Sequence, residues 1–145
     1  MRIRIKKLTD TARMPGRGSA AAAGYDLYAD IMEPKELGPH ETMMVTTGLS
    51  MEIPEGFFGA VFARSGLAAK EGLRPANCVG VVDADYRGPI TVALHNDGEV
   101  TRLIEPGERI AQIVIMPFLT VEYEEAEELT ETERGSAGFG STGKH

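Results

Sequence analysis

PITVALHNDGEVTRLIEPGERIAQIVIMPF, residues 89–118, consists of three β-branched runs cut by two short polar breaks. The runs are PITVALH (89–95), VTRLI (100–104) and RIAQIVIMPF (109–118). The breaks, Asn96 to Glu99 and Glu105 to Glu108, carry the Asn, Asp, Pro and Gly that tight turns require. Upstream, MVTTGLSMEI (44–53) and FFGAVF (57–62) have the same character, so five strand-like runs follow one another at short spacing. Such a series predicts an all-β sandwich or barrel. At the start of the chain Arg2, Arg4 and Lys6 alternate with Ile3 and Ile5, which reads as the wet face of a first strand. Only SGLAAKEG (65–72) offers a helical turn or two, with Ser65 as its N-cap and Gly72 as its stop.

A chain of 145 residues is one domain's length and can bury about 70% of the surface its unfolded form exposes. It holds 17 Gly and 8 Pro, well above average usage, but spread between apolar segments, which excludes collagen and disorder throughout. The single cysteine, Cys78, cannot form an internal bridge, and there is no CxxC, HExxH or Cys/His cluster to hold structural zinc. No apolar run approaches a membrane span and the first residues lack the apolar stretch of a signal peptide, so a soluble protein of the reducing cytoplasm is expected.

Fifteen basic residues face 22 acidic ones, but the imbalance is local. Residues 122–133 carry seven Glu and no base, so the remaining residues balance at 15 against 15. That segment reads as a solvated linker, and an acidic chain lacks the electrostatic footprint of nucleic-acid binding. From Leu129 onward the sequence TETERGSAGFGSTGKH has one large apolar residue, Phe139, and cannot offset the entropy of ordering itself. The expected division is therefore a β-rich domain over 1–128 and a mobile glycine-rich arm over 129–145. Gly138 to Gly143 match GxGxxG, yet only two residues follow, so no helix is there to aim its N-terminus at a phosphate.

Three constellations carry chemistry. In ARSGLAAKEG, Arg64 ends a strand and Ser65 and Gly66 open the helical turn, placing a guanidinium, a hydroxyl and unpaired N–H groups together as a phosphate seat. In GVVDADYRGPITVALHN (80–96), two apolar runs flank Asp83 to Gly88, a local pattern that predicts a hairpin. Asp83 is a candidate general base there and Tyr86 a flat face for a sugar or base. In the arm, Arg134 and the hydroxyls of Ser136, Ser141 and Thr142, among glycines that let backbone N–H groups curl round an anion, are candidate anion ligands, against a tail with no task.

Taken in order, AGYDLYA (23–29), ARSGLAAK (63–70), NCVGVVDADYRG (77–88), GERIAQ (107–112) and RGSAGFGSTG (134–143) resemble the five motifs of trimeric deoxyuridine triphosphatases, the dUTPases. The resemblance spans most of the chain. It implies a jelly-roll-like β-barrel or sandwich that forms a homotrimer with shared interfacial active sites. It also implies Mg²⁺-assisted hydrolysis of dUTP to dUMP and pyrophosphate, which limits uracil incorporation into DNA and supplies dUMP for dTTP synthesis. By that resemblance Asp83 activates the water that attacks the α-phosphate, and Tyr86 packs under the deoxyribose. Asn77 and the backbone of Gly80, Val81, Val82 and Thr91 read uracil, and Arg64, Ser65, Gly66 and Gln112 bind phosphates. Asp26 holds the metal through water. Arg134, Phe139, Gly140, Ser141 and Thr142 close over the nucleotide. Two other readings compete: a dCTP deaminase, which shares the fold, and a non-catalytic β-barrel binding protein. The deaminase family places its catalytic glutamate five residues after the glycine that closes the turn; here that position is Ala93.

Overall fold

In the computed structural model, which describes residues 1–138, eleven strands and one wide helical turn account for the regular structure. The strands are β1 (Arg4–Lys7), β2 (Tyr25–Tyr28), β3 (Lys35–Leu37), β4 (Thr42–Thr46), β5 (Leu49–Glu52) and β6 (Phe57–Phe62), followed by β7 (Leu73–Pro75), β8 (Val79–Val82), β9 (Thr91–Asn96), β10 (Arg102–Ile104) and β11 (Arg109–Pro117). All five runs singled out in the sequence contain strands. MVTTGLSMEI is divided between β4 and β5 at Gly48, whose φ is 63°. The protein is all-β, as expected.

Two sheets face each other. One has the order β2-β11-β6-β8 and the other β4-β9-β7, and two ribbons, β1-β5 and β3-β10, add Leu49, Met51, Leu37 and Ile104 to the core. All pairings are antiparallel. Alternation explains the core: in β9, Val92, Leu94 and Asn96 are buried while Thr91 is exposed and Ala93 and His95 are half-buried. Leu27, Val61, Ala111 and Ile113 from one sheet and Val45, Leu73, Val92 and Leu94 from the other form one apolar cluster, each large side chain contributing about 1.5–3 kcal/mol. The wet face expected for β1 is present: Arg4 and Lys6 are exposed, Ile5 packs inward, and Arg4 forks onto Glu52 of β5. Hydrogen bonding from Arg4 holds the Glu52 carboxyl below its usual value. What the pair adds to stability is therefore present at neutral pH and lost as pH falls through that depressed value.

The helical reading of 65–72 needs one correction. Residues Leu67–Glu71 form a π-type turn ended by left-handed Gly72, but the N-cap is Gly66 and no side chain caps it, so Ser65 has an exposed hydroxyl instead of a capping bond. A second correction concerns the expected hairpin. Val79–Val82 pair with β6, whereas Thr91–Asn96 pair with β4 and β7, so the Asp83–Gly88 loop carries the chain from one sheet to the other. Both flanking runs are strands, but they belong to different sheets because each pairs with strands earlier in the chain and not with the other.

Two polar residues are fully enclosed: Thr47, whose hydroxyl donates to the Ile90 carbonyl at 2.8 Å, and Asn96. Asn96 donates its Nδ2 to the carbonyls of Leu37, Gly38 and Val100 at 2.9–3.1 Å, and its Oδ1 accepts the Gly98 N–H at 2.9 Å. It thereby ties β9 to both neighbouring loops. Asn96→Ala should leave these groups unpartnered and cost about 2–4 kcal/mol, read as a lowered midpoint of urea unfolding at fixed protein concentration. A midpoint unchanged from wild type would contradict this role.

Beyond Pro117 the described chain has no strand and every residue from 116 to 138 is exposed. Leu119, Val121 and Tyr123 alternate with Thr120, Glu122 and Glu124, a period-two pattern with no strand partner among the described residues.

Candidate functional site

The expected site residues fall into two groups, at different places on the β2-β11-β6-β8 sheet. The first is built where β2, β11 and the end of β6 meet. Gln112 lies opposite both Asp26 on β2 and Phe62 on β6, so side chains of β2 and β11 share a face there. Arg64, two residues past β6, donates its Nε to Asp26 Oδ1 at 2.8 Å. Gln112 donates to the Ala63 carbonyl at 2.9 Å, which fixes the strand end that precedes Arg64-Ser65-Gly66. Gly24 leaves room for this placement: a Cβ there would displace the Gln112 amide.

A residue that the sequence reading left out completes this group. Arg109 reaches Asp26 Oδ2 at 3.4 Å. Arg109 and Gln112 are three apart, which would place them on opposite faces of a regular strand. A bulge between Arg109 and Ala111 inserts an extra residue, and both come to the Asp26 side. Two guanidinium groups thus surround one carboxylate whose side chain is 16% exposed, leaving a net positive, partly desolvated seat. Ser65 and Gly66 stand exposed at its rim. Such a seat suits an anion with several oxygens. A GERI motif one strand away from Asp26 was the available signal, and the bulge is what hid it.

The second group follows β8. This strand pairs only with β6 among the described residues, so one row of its N–H and C=O groups faces outward. Asn77 precedes it, and Gly80, Val81 and Val82 lie within it. Asp83 follows directly and Tyr86 lies three residues on, both exposed. The Asp83 carbonyl accepts the Tyr86 N–H at 3.2 Å, closing the turn, and the Tyr86 hydroxyl donates to the Pro89 carbonyl at 3.1 Å. Gly88 allows this, since a Cβ there would overlap the Tyr86 ring at 2.4 Å from its oxygen. Asp83 opens onto a cleft of about 660 Å³ shared with Glu52, Glu55, Asp85, Arg87 and Phe118. Thr91 starts β9 in the other sheet, opposite Thr46.

The two groups do not converge on Asp83. In the β6-β8 ladder Val79 faces Phe62 and Val82 faces Gly59, so the ends of the ladder are about 10 Å apart. Asn77 and Arg64 lie beyond one end and Asp83 beyond the other. A substrate stretched along β8 from Asn77 to Asp83 therefore leads away from the Arg64 of its own chain. Arg134, on the exposed tail, bonds the Ala137 carbonyl of its own turn at 2.9 Å. Phe139, Gly140, Ser141 and Thr142 lie outside the described residues. Among the described residues no three Asp, Glu, His or Cys side chains converge as a metal cage. That donor set fits a magnesium ion carried by phosphate oxygens and water, with Asp26 as the one carboxylate of the anion seat.

Comparison with known proteins finds matches over nearly the whole chain. The dUTPase family profile matches residues 10–143. The deoxyuridine 5'-triphosphate nucleotidohydrolase of Hydrogenobaculum sp. (strain Y04AAS1) is 44% identical over 143 residues, covering 99% of each chain. That of Oryza sativa subsp. japonica is 46% identical, covering 97% of this chain and 80% of the relative. Among solved structures, a point variant of the phage 80alpha dUTPase superposes with a TM-score of 0.87 at 33% identity, covering 97% of this chain and 98% of the other. Another variant of the same Staphylococcus bacteriophage enzyme, solved with dUpNHpp, gives 0.85 at 32% identity and 98% coverage of each chain. A variant of the phage phi11 dUTPase of S. aureus, with a structural Mg(II) ion, gives 0.80 at 27% identity, covering 90% of this chain and all of the other.

Proposed function

The chain belongs to the dUTPase family, and from that premise we propose how its residues divide the hydrolysis of dUTP to dUMP and pyrophosphate. The observation that carries the reading is the open edge of β8, bounded by Asn77 at one end and Asp83 at the other. A free strand edge offers N–H and C=O groups in the alternation that a base-pairing partner offers. Asn77 with the backbone of Gly80, Val81 and Val82, and with Thr91 beyond the loop, reads uracil. Cytosine presents a lone pair where uracil presents N3–H, which would leave buried polar groups unpaired and make rejection strong.

With the base at the Asn77 end, the sugar reaches Tyr86 and the α-phosphate reaches Asp83. Asp83 takes a proton from the attacking water, and the departing pyrophosphate is held by cationic and hydrogen-bond-donating groups. Those groups, Arg64, Ser65, Gly66 and Gln112 with Asp26 and Arg109 behind them, are at the wrong end of β8 within one chain. This supports a homotrimer in which one subunit supplies the base and nucleoside pocket and another the phosphate seat. Mg²⁺, held by phosphate oxygens and water with Asp26 nearby, supplies charge neutralisation on the triphosphate when bound; the relative with a structural Mg(II) ion supports that assignment. The unpaired alternation of Leu119, Val121 and Tyr123 supports a tail that leaves its own subunit, so that the arm from 129 onward, with Arg134, Phe139 and Gly140 to Thr142, closes a neighbour's site.

Among the described residues no helix is long and apolar enough to cross a membrane, and one exposed free cysteine, Cys78, is consistent with a reducing compartment such as the cytoplasm.

Incubation with dUTP and Mg²⁺, with pyrophosphate and ammonia assayed separately, tests the chemistry. Pyrophosphate without ammonia is expected; ammonia would mean ring deamination, and neither product would leave a binding protein. Sedimentation equilibrium should give three times the chain mass. Tyr86→Ala should relax the preference for dUTP over UTP by about tenfold or more, since the wall beneath the sugar is removed. An unchanged ratio of kcat/KM for the two nucleotides would place sugar selection elsewhere.

A further inference from the structure

Between β7 and β8 the chain passes from one sheet to the other in three residues, Ala76, Asn77 and Cys78. The crossing is tight. Cys78 adopts φ 61°, a left-handed conformation that side-chain-bearing residues seldom take, and its N–H bonds the Pro75 carbonyl at 3.1 Å. The Val79 N–H bonds the Asn77 carbonyl at 2.6 Å, and Asn77 Nδ2 lies 3.2 Å from where a Cβ on Gly80 would be. Little inside this turn fixes Asn77, which is exposed.

One guanidinium grips the turn from outside. Arg74, on β7, spends two nitrogens on Asp97, with Nε at 2.5 Å from Oδ2 and Nη2 at 2.9 Å from Oδ1. Its third nitrogen, Nη1, donates to the carbonyls of Pro75 at 3.1 Å and Ala76 at 3.3 Å, and lies 3.6 Å from Cys78 Sγ. The anchor is itself held: His95 Nε2 lies 3.3 Å from Asp97 Oδ1, and His95 Nδ1 lies 2.9 Å from Thr42 Oγ1 on β4. The hydrogen bond from Arg74 keeps the Asp97 carboxyl below its usual range, so the fork stays ionic at neutral pH.

We infer that Arg74 is a positioning residue for base selection: braced on Asp97, it clamps the Pro75–Cys78 turn and thereby sets where Asn77 meets the uracil edge. The inference rests on the base-reading role of Asn77. It concerns no atom that touches the reacting phosphate, so its effect belongs in substrate binding and selectivity. Arg74 is the residue that fits the task because only a planar fork can bridge a carboxylate and two carbonyls at once.

The test is steady-state kinetics on the full chain with dUTP and dCTP for Arg74→Met, Arg74→Lys, Asp97→Asn and Asn77→Ala, with oligomer mass and far-UV dichroism measured alongside. Arg74→Met keeps the aliphatic stem and should raise KM for dUTP about tenfold, leave kcat within about twofold, and narrow the ratio of kcat/KM for dUTP over dCTP. Arg74→Lys should behave like Arg74→Met, since an ammonium cannot fork; a wild-type KM there would reduce Arg74 to a charge and overturn the clamp. If Arg74→Met does not fold, Asp97→Asn decides: a raised KM with unchanged kcat supports the clamp, and a wild-type KM overturns it. Impaired Asn77→Ala beside an unaffected Arg74→Met sinks the inference while sparing the base-reading role. Unchanged KM and selectivity in Asn77→Ala would remove that role, and the inference with it.

Discussion

Asp83→Asn should reduce kcat by about 10²- to 10⁴-fold while leaving the assembly and nucleotide binding intact. The amide matches the carboxylate in size and accepts similar hydrogen bonds, but it cannot take a proton from water. Asp83 is exposed at the open end of the β6-β8 ladder, and its backbone carbonyl, not its side chain, closes the turn with Tyr86. The substitution therefore removes chemistry without removing a structural bond. Binding of the non-hydrolysed analogue dUpNHpp, followed calorimetrically, should keep a near wild-type affinity. A purified Asp83→Asn protein with near-normal kcat would take Asp83 out of the reaction, and the base would have to be sought among Asp85, Glu52 and Glu55 of the same cleft.

Removing residues 129–145 should leave the fold and assembly unchanged and abolish most of kcat. Residues 129–138 are exposed and make no strand, so the β-sandwich loses no core contact with them. Seventeen residues span at most about 60 Å when extended, enough to reach a neighbouring subunit. Closure would expel water from the triphosphate and strengthen the fields acting on it, a contribution that a truncated enzyme lacks. The same variant answers which chain the arm serves. Mixed trimers of full-length Asp83→Asn subunits and truncated subunits with Asp83 intact should recover about one quarter of wild-type activity at equal mixing, because a quarter of the composite sites draw base and arm from competent chains. Mixed trimers that form but recover nothing would show that each arm covers its own chain's Asp83. Full activity in the truncated protein alone would end the lid reading.

The strands were legible because their signals are local. RIAQIVIMPF and PITVALH are bounded by turn residues on both sides and rich in β-branched residues, so they read as strands without reference to any partner. Pairing was not legible. The run before Asp83 and the run after Gly88 look like two arms of a hairpin, yet the first pairs with residues 17 to 23 positions earlier and the second with residues 45 to 53 positions earlier, and only packing against β6 on one side and β4 on the other settles it. Short strands with weak patterns, Lys35–Leu37 and Leu73–Pro75, were passed over for the same reason: they exist because a neighbour pairs with them. At the site, the residues of Asp26, Arg64 and Gln112 followed from motif wording. Arg109 did not, because its reach depends on a bulge that no periodicity announces. Arg74 was invisible for a different cause, since its partner Asp97 is contributed by a loop 23 residues on.

The place of β11 has a consequence for how the protein is made. It is the last strand among the described residues, yet it lies inside its sheet, between β2 and β6. Until residues 109–117 have been synthesised, β2 has no ladder and β6 has only β8, so this sheet cannot close in stages from the N-terminal side, although β1-β5 and β4-β9-β7 have their strands earlier. Ile110, Ala111 and Ile113, all buried, arrive with that strand and fill the middle of the core. A nascent chain of this protein therefore carries the open edges of β2 and β6 until β11 arrives, and the four-stranded sheet closes late.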